Sequence, residues 1–210
     1  DIPILGINRG RLGFLTDISP EEIERKVGSV IDGRFVDDYR FLLESKIYRN
    51  GEEVGSGTAL NDVVLHPGKF IRMIDFEMYI DQDFVYHQRS DGLIISSPTG
   101  STAYALSCGG PIMHTSLEAM VLVPMNTHTL NSRPIVVHGN AEIKIVVGEQ
   151  RDIEPHVTCD GQTHVITHAG DEIIVRRSYK SLRLIHPEGY DFYKTCRSKL
   201  GWEEDKRGFS

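Results

Sequence analysis

The chain has 210 residues, 40% hydrophobic and 25% charged, with a formal net charge of -7. That is apolar mass for one large domain or two small ones, and it excludes a disordered tail, which would combine low hydrophobicity with extreme charge. The acidic balance, 30 Asp and Glu against 23 Lys and Arg, argues against non-specific nucleic-acid binding, which lives on clustered basic charge.

The opening Pro3-Ile4-Leu5-Gly6-Ile7-Asn8 reads as a short buried strand. It lacks the basic stretch and long apolar core of a signal peptide, and no later apolar run is long enough to span a bilayer. A strand with nothing before it needs partners, so the sequence predicts an upstream segment beyond Asp1. Ser19-Pro20-Glu21-Glu22 has the form of a capping box with proline at the first helical position. Ile23, Val27, Val30 and Ile31 follow at helical spacing, and Asp32-Gly33 supplies the stop.

From Phe35 to Ile185 the period becomes two. Ile74, Phe76, Met78 and Ile80 alternate with Asp75, Glu77 and Tyr79, and Ile143, Ile145 and Val147 repeat the pattern. Asn50-Gly51, Gly139-Asn140, Asp160-Gly161 and Gly170-Asp171 punctuate these strands as turns. Near the end, Tyr193, Cys196 and Leu200 share a helical face, Gly201 sits at the stop, and 203–210 reads as a frayed charged tail. The fold class expected is mainly β, a two-sheet antiparallel sandwich with a helix near each end.

The densest chemical signal runs from Asp91 to Ser107, where the apolar strand Leu93-Ile94-Ile95 enters Ser96-Ser97-Pro98-Thr99-Gly100-Ser101-Thr102. Small hydroxyl residues and glycine let an anionic ligand approach backbone N–H groups, but they also build an ordinary strand–turn–helix corner. It is not a Walker loop, because no Gly-Lys-Ser/Thr follows, and Ser101 lacks the later glycine of a nucleophile elbow. Asn61-Asp62 before Val63-Val64-Leu65 suits either ribose hydroxyls or an Asx turn. Arg89 and Asp91, two apart, are expected on one face of extended chain, as a rim salt bridge or a ligand pair. Asp160-Gly161-Gln162 most simply makes a hairpin turn. The nine histidines include His156, His164 and His168 close together, but no metal-ligand array is spelled out, and no protein-held metal is expected. Cys108, Cys159 and Cys196 are too widely spaced for a zinc knuckle and read as reduced thiols of a cytoplasmic protein.

Several of these segments, in this order, resemble the second half of NAD kinases: Gly6-Ile7-Asn8-Arg9-Gly10-Arg11-Leu12-Gly13-Phe14-Leu15-Thr16-Asp17, Ala59-Leu60-Asn61-Asp62-Val63-Val64-Leu65, the Asp91 to Pro111 stretch, His128-Thr129-Leu130-Asn131-Ser132-Arg133-Pro134 and Asp160-Gly161-Gln162. Leu65-His66-Pro67-Gly68-Lys69 and Leu200-Gly201-Trp202 look most like the proteobacterial enzymes. The resemblance implies phosphoryl transfer from ATP or polyphosphate, with Mg²⁺, to the 2′-hydroxyl of the adenosine ribose of NAD, giving NADP. It also implies a homodimer or homotetramer, with no nucleic-acid or membrane partner.

By the same resemblance, Asn61 and Asp62 hold the adenosine and ribose, and Thr102, Ala103, Tyr104, Ala105, Leu106 and Ser107 wrap the adenine end. Arg89 and Asp91 contact ligand across a subunit boundary, and Arg72, Asn126 and Gln162 make further dinucleotide contacts. The family's Gly-Gly-Asp-Gly motif, whose aspartate is the expected base, does not occur in this sequence, so no catalytic residue is assigned here. The organisation expected is a return strand and helix over 1–34, an NAD-binding β domain over 35–188, and a C-terminal helix and tail over 189–210. The competing readings are a lipid kinase of the diacylglycerol kinase type and a non-catalytic dinucleotide sensor.

Overall fold

A computed structural model describes residues 2–9, 13–68, 72–126, 132–149 and 153–202. Parts of the motifs at 10–12, 69–71 and 127–131, and the predicted frayed tail at 203–210, lie outside the described residues.

In chain order the strands are β1 (Ile4–Leu5), β2 (Phe35–Arg49), β3 (Glu52–Ala59), β4 (Asp62–His66), β5 (Ile74–Ile80), β6 (Asp83–Ser90), β7 (Gly92–Ser96), β8 (Ala119–Met125), β9 (Ile135–His138), β10 (Ile143–Val147), β11 (His156–Cys159), β12 (Thr163–Ile166) and β13 (Glu172–Pro187). One sheet has the order β3-β2-β13-β10-β5-β6, with β1 joined to β13. The other has the order β12-β11-β4-β7-β8-β9. The fold is mainly β and antiparallel, as expected, apart from the two-residue β1, which pairs in parallel. The helices are α1 (Ile23–Ile31), α2 (Tyr104–Ser107) and α3 (Phe192–Leu200).

The chain forms two compact units, residues 1–40 with 182–210, and residues 41–181. In the larger unit the period-two pattern does the sorting. Ile74, Phe76 and Met78 of β5 and Ile143, Ile145 and Val147 of β10 share a core with Val63, Leu65, Leu93, Ile95, Met120 and Leu122 of the other sheet. The intervening Val64, Ile94, Val121 and Val123 point the opposite way, and Ala105 and Met113 pack on them. Burial on both faces explains why β7 and β8 read as unbroken apolar runs rather than alternating ones. Where the covering segment stops, the outer face of that sheet is left open.

Turn chemistry fixes the register. Asn50 and Gly51 (φ 53° and 83°) close the two-residue β2–β3 hairpin, and Asp160 and Gly161 (φ 51° and 66°) turn the three-residue β11–β12 connection that ends at Gln162, both with left-handed backbone at the two positions. The β5–β6 hairpin turns the same way on Asp81 and Gln82 (φ 50° and 76°). With no glycine, that turn carries no signal in the sequence.

In the smaller unit the strand expected at Pro3–Asn8 shrinks to β1, and Ile4 is 45% exposed, against the burial predicted for it. The chain enters α1 through a 3-10 turn at Pro20–Glu22, where the Glu22 N–H donates to the Ser19 carbonyl at 3.0 Å. The Ser19 hydroxyl therefore donates to the Glu22 carboxylate at 3.2 Å, and the expected capping box forms only in part. Gly33 ends α1 as predicted: its N–H reaches the Val30 carbonyl and that of Arg34 the Ser29 carbonyl, both at 3.0 Å. The Asp191 carboxylate caps α3 by accepting from the Tyr193 N–H at 2.8 Å, and Gly201 closes it at φ 69°. Phe192, Thr195 and Cys196 form its buried face, and Tyr193 is exposed, so the stripe predicted through Tyr193 is displaced by one position.

Buried in this unit, His186 faces Asp17 through Nδ1 and Asp38 through Nε2, and the Tyr190 ring stacks on it at 3.9 Å. Burial alone would lower its pKa, but hydrogen bonds to the two carboxylates hold it up at about 9.

Candidate functional site

The open face of the β12-β11-β4-β7-β8-β9 sheet carries a cleft of about 660 Å³ within the larger unit. Its construction begins where β4 pairs with β7, Asp62 opposite Ser96. Beyond that pair the hydroxyl-rich loop folds back over Leu60 and Asn61. The Ser97 hydroxyl donates to the Leu60 carbonyl at 2.5 Å, the Ser97 N–H to the Asn61 carbonyl at 2.9 Å, and the Ser96 hydroxyl to the same carbonyl at 3.2 Å. Gly100 lies so close that a Cβ there would sit 2.2 Å from the Asn61 carbonyl oxygen. Ser101 donates to the Pro98 carbonyl at 2.7 Å and accepts from the Met113 N–H at 2.9 Å. These serines are buried and build the corner. The structural reading of the loop therefore wins at Ser96, Ser97 and Ser101.

The loop delivers Ala103 and Tyr104 to one side of the cleft, Tyr104 with 44% of its surface exposed. Asn61 and Asp62 lie at the start of β4. Asp91 and Asn126 form a rim, where the Asn126 amide donates to the Asp91 carboxylate at 3.0 Å and the Asp91 N–H to the Met125 carbonyl at 3.1 Å. His66, Arg72 and His164 also line the cleft. His164 had only an exposed polar reading from the sequence, and its place in the lining was not anticipated. Thr158 and Asp160 were not anticipated there either.

Asn61, Asp62, Arg72, Asp91, Ala103, Tyr104 and Asn126 thus meet in one cleft, though they span 66 positions of sequence. Arg89 is not in that lining. It is exposed on β6, opposite Asp75, and the chain leaves one sheet at Ser90 and joins the other at Gly92, so Arg89 and Asp91 do not share a face. Thr102, Ala105, Leu106, Ser107 and Gln162 also lie outside the lining. The Thr102 hydroxyl donates to the Thr99 carbonyl at 3.2 Å, and Ala105 is buried against the sheet. Leu106 is half-buried, Ser107 is exposed, and Gln162 is exposed at the β11–β12 turn.

Asp62 dominates the electrostatics. It is 6% exposed, and among the described residues its carboxyl has no hydrogen-bond partner. Burial, then the nearby Asp160 carboxylate, push its pKa up to about 6. Burial also raises the Tyr104 hydroxyl, with smaller contributions from Cys108, Asp62 and Asp91. His66 is lowered by burial and by His156 and His164. The three thiols are free, and burial raises Cys159 to about 11. Among the described residues no three His, Cys, Asp or Glu side chains are arranged to hold a metal ion. No described helix is long and apolar enough to cross a membrane.

A cleft of this size, with carboxyl, amide and imidazole groups around an aromatic ring on a sheet face, defines a small-molecule-binding β protein. Residues 60–187 match the ATP-NAD kinase C-terminal domain, and residues 1–35 match the ATP-NAD kinase N-terminal domain. The chain is 64% identical over 207 residues to the NAD kinase of Saccharophagus degradans, covering 99% of this chain and 70% of that protein. It is 66% identical over 202 residues to that of Teredinibacter turnerae, covering 96% and 69%. Yeast NADH kinase, solved with NADH, superposes with a TM-score of 0.90 at 26% identity, over 99% of this chain and 61% of that one. An Archaeoglobus fulgidus NAD kinase solved with ATP gives 0.74 at 28% identity, over 95% and 72%. The chain belongs to the NAD kinase family, whose members are phosphotransferases.

Proposed function

We propose that this chain supplies the NAD-holding cleft of an enzyme that transfers a phosphoryl group from ATP or polyphosphate to the 2′-hydroxyl of the adenosine ribose, giving NADP. The observation that carries this reading is Asp62, a largely buried carboxyl that lines the cleft and has no hydrogen-bond partner among the described residues. Such a group is costly in the empty protein and is offset when a ligand donates to it. Ribose hydroxyls and an adenine amine are donors of the right kind. The Asn61 side chain offers both a donor and an acceptor beside it, and the exposed Tyr104 ring offers a face for the purine. Asp91, held by Asn126, presents a second carboxylate at the rim.

Little in the cleft is suited to attack phosphorus, so its contribution is positioning, the larger part of phosphoryl-transfer catalysis. The base for the ribose hydroxyl is proposed to come from the family's N-terminal Gly-Gly-Asp-Gly motif, outside this sequence. Mg²⁺ would enter with the donor phosphates. The described residues do not gather a set of ligating side chains for it, and no step is routed through it. We also propose a cytoplasmic homo-oligomer, in keeping with the family resemblance, with Arg89 serving a neighbouring subunit's ligand.

The test is Asp62→Ala in the native enzyme. The KM for NAD should rise by about tenfold or more, the loss of at least one hydrogen bond to a charged group, with an unchanged circular dichroism spectrum. An unaltered KM would remove Asp62 from the site and this reading with it.

A further inference from the structure

Asp160 opens the β11–β12 turn, and its side chain does something the turn does not require. Its carboxylate accepts three consecutive backbone N–H groups: Leu60 at 2.7 Å, Asn61 at 2.8 Å and Asp62 at 3.1 Å. Its own N–H donates to the Asp62 carbonyl at 3.0 Å. Four hydrogen bonds therefore join one residue to a segment about a hundred positions away. The left-handed turn alone does not select aspartate, because Asn50 occupies the equivalent position before Gly51 in the β2–β3 hairpin. Asparagine could keep its one oxygen on the Asn61 and Asp62 N–H groups, but its amide would then meet the Leu60 N–H donor to donor, so only the carboxylate satisfies all three.

We propose that Asp160 is a positioning residue for the Asn61–Asp62 pair: its carboxylate gathers the three N–H groups before and at the start of β4, and so fixes where both side chains stand in the cleft. The inference rests on the reading of that cleft as the NAD site. It assigns Asp160 no contact with the ligand.

A second consequence follows from charge. The groups facing Asp62 are Asp160 from the β11–β12 turn, Cys159 at the end of β11, and Tyr104 and Cys108 from α2 and its end. None of these is cationic, and Asp160 is the one carboxylate that raises the Asp62 proton affinity beyond what burial does. Removing the Asp160 charge should lower the midpoint at which Asp62 titrates; because lost burial would lower it too, the shift is read with the β4 amides as protected from hydrogen exchange as in the parent.

The test uses the native enzyme and its Asp160→Asn variant. The Asp62 side-chain carboxyl, followed by carbon-detected NMR without ligand, should titrate at a lower pH in the variant. The KM for NAD should rise about tenfold, and its pH dependence should move with the Asp62 midpoint. An unchanged Asp62 titration and an unchanged KM would overturn the proposal. Should Asp160→Asn fail to fold, hydrogen exchange in the parent decides: the Leu60, Asn61 and Asp62 amides should be protected, and exchange as fast as in open loops would refute the cluster. If instead Asp62→Ala leaves the KM alone while Asp160→Asn shifts the Asp62 titration, the positioning holds and the NAD reading falls.

Discussion

Asp62 shows how a site residue is distinguished from a structural one by what it lacks. Ser96, Ser97 and Ser101 looked as polar in the sequence, yet each hydroxyl is buried and paired within the corner. Asp62 is buried and, among the described residues, unpaired, and that carries a stability consequence. An acid whose folded pKa, about 6, lies above its ordinary value keeps a proton that the unfolded chain releases, so stability falls as pH rises from about 4 to 6 and stays lower above that. Asp62→Asn removes the ionisation and should raise the stability of the ligand-free protein at pH 7.5 by about 1–2 kcal/mol, with no gain at pH 4. Thermal melts at the two pH values check this, and an equal effect at both would refute it. Asn61 and Asp62 were legible as candidates from type and position alone. The staple from Asp160 was not, because its partners are 98 to 100 positions away and its Asp-Gly already had a sufficient local explanation.

At the level of elements, alternation in β5 and β10 was readable because one face is buried and the other wet. Where both faces are covered, as in β7 and β8, the period vanished and only the apolar run remained. The helix stops at Gly33 and Gly201 were legible because left-handed backbone selects glycine. The β5–β6 turn breaks that rule with Gln82 at φ 76°. Gln82→Gly should relieve left-handed strain of about 1 kcal/mol, less the entropy glycine gains in the unfolded chain, for a net gain of about 0.5 kcal/mol in urea unfolding. A loss would mean that the turn is held by something other than its backbone geometry. Asp81 should be kept, since its carboxylate accepts the Glu142 N–H at 2.8 Å.

On the scale of the whole molecule, composition and period pointed to two antiparallel sheets, whereas strand order had no local signature: β4 lies between β7 and β11, and β13 between β2 and β10. Long-range ionic contacts were equally hidden. His186 draws together Asp17 and Asp38 from far along the chain, and its charged form is favoured well above neutrality. A histidine with a raised folded pKa stabilises fully below its ordinary value, near 6.5, and that contribution is lost as pH rises through about 9. The parent protein should therefore lose stability between pH 7 and 9.5. His186→Ala, which takes the imidazole from Asp17 and leaves Asp38 with Arg40 alone, should cost about 3 kcal/mol at pH 7 and remove most of that slope. A variant melting like the parent at both pH values would deny the clamp. The contact between Gly100 and the Asn61 carbonyl has a different reach, because it makes three distant stretches a single transplantable part. A designer moving this cleft to another sandwich must carry residues 60–62, 96–101 and 160 together. The loop closes on the Leu60 and Asn61 carbonyls, and without Asp160 the N–H groups of that same segment lose the carboxylate that gathers them.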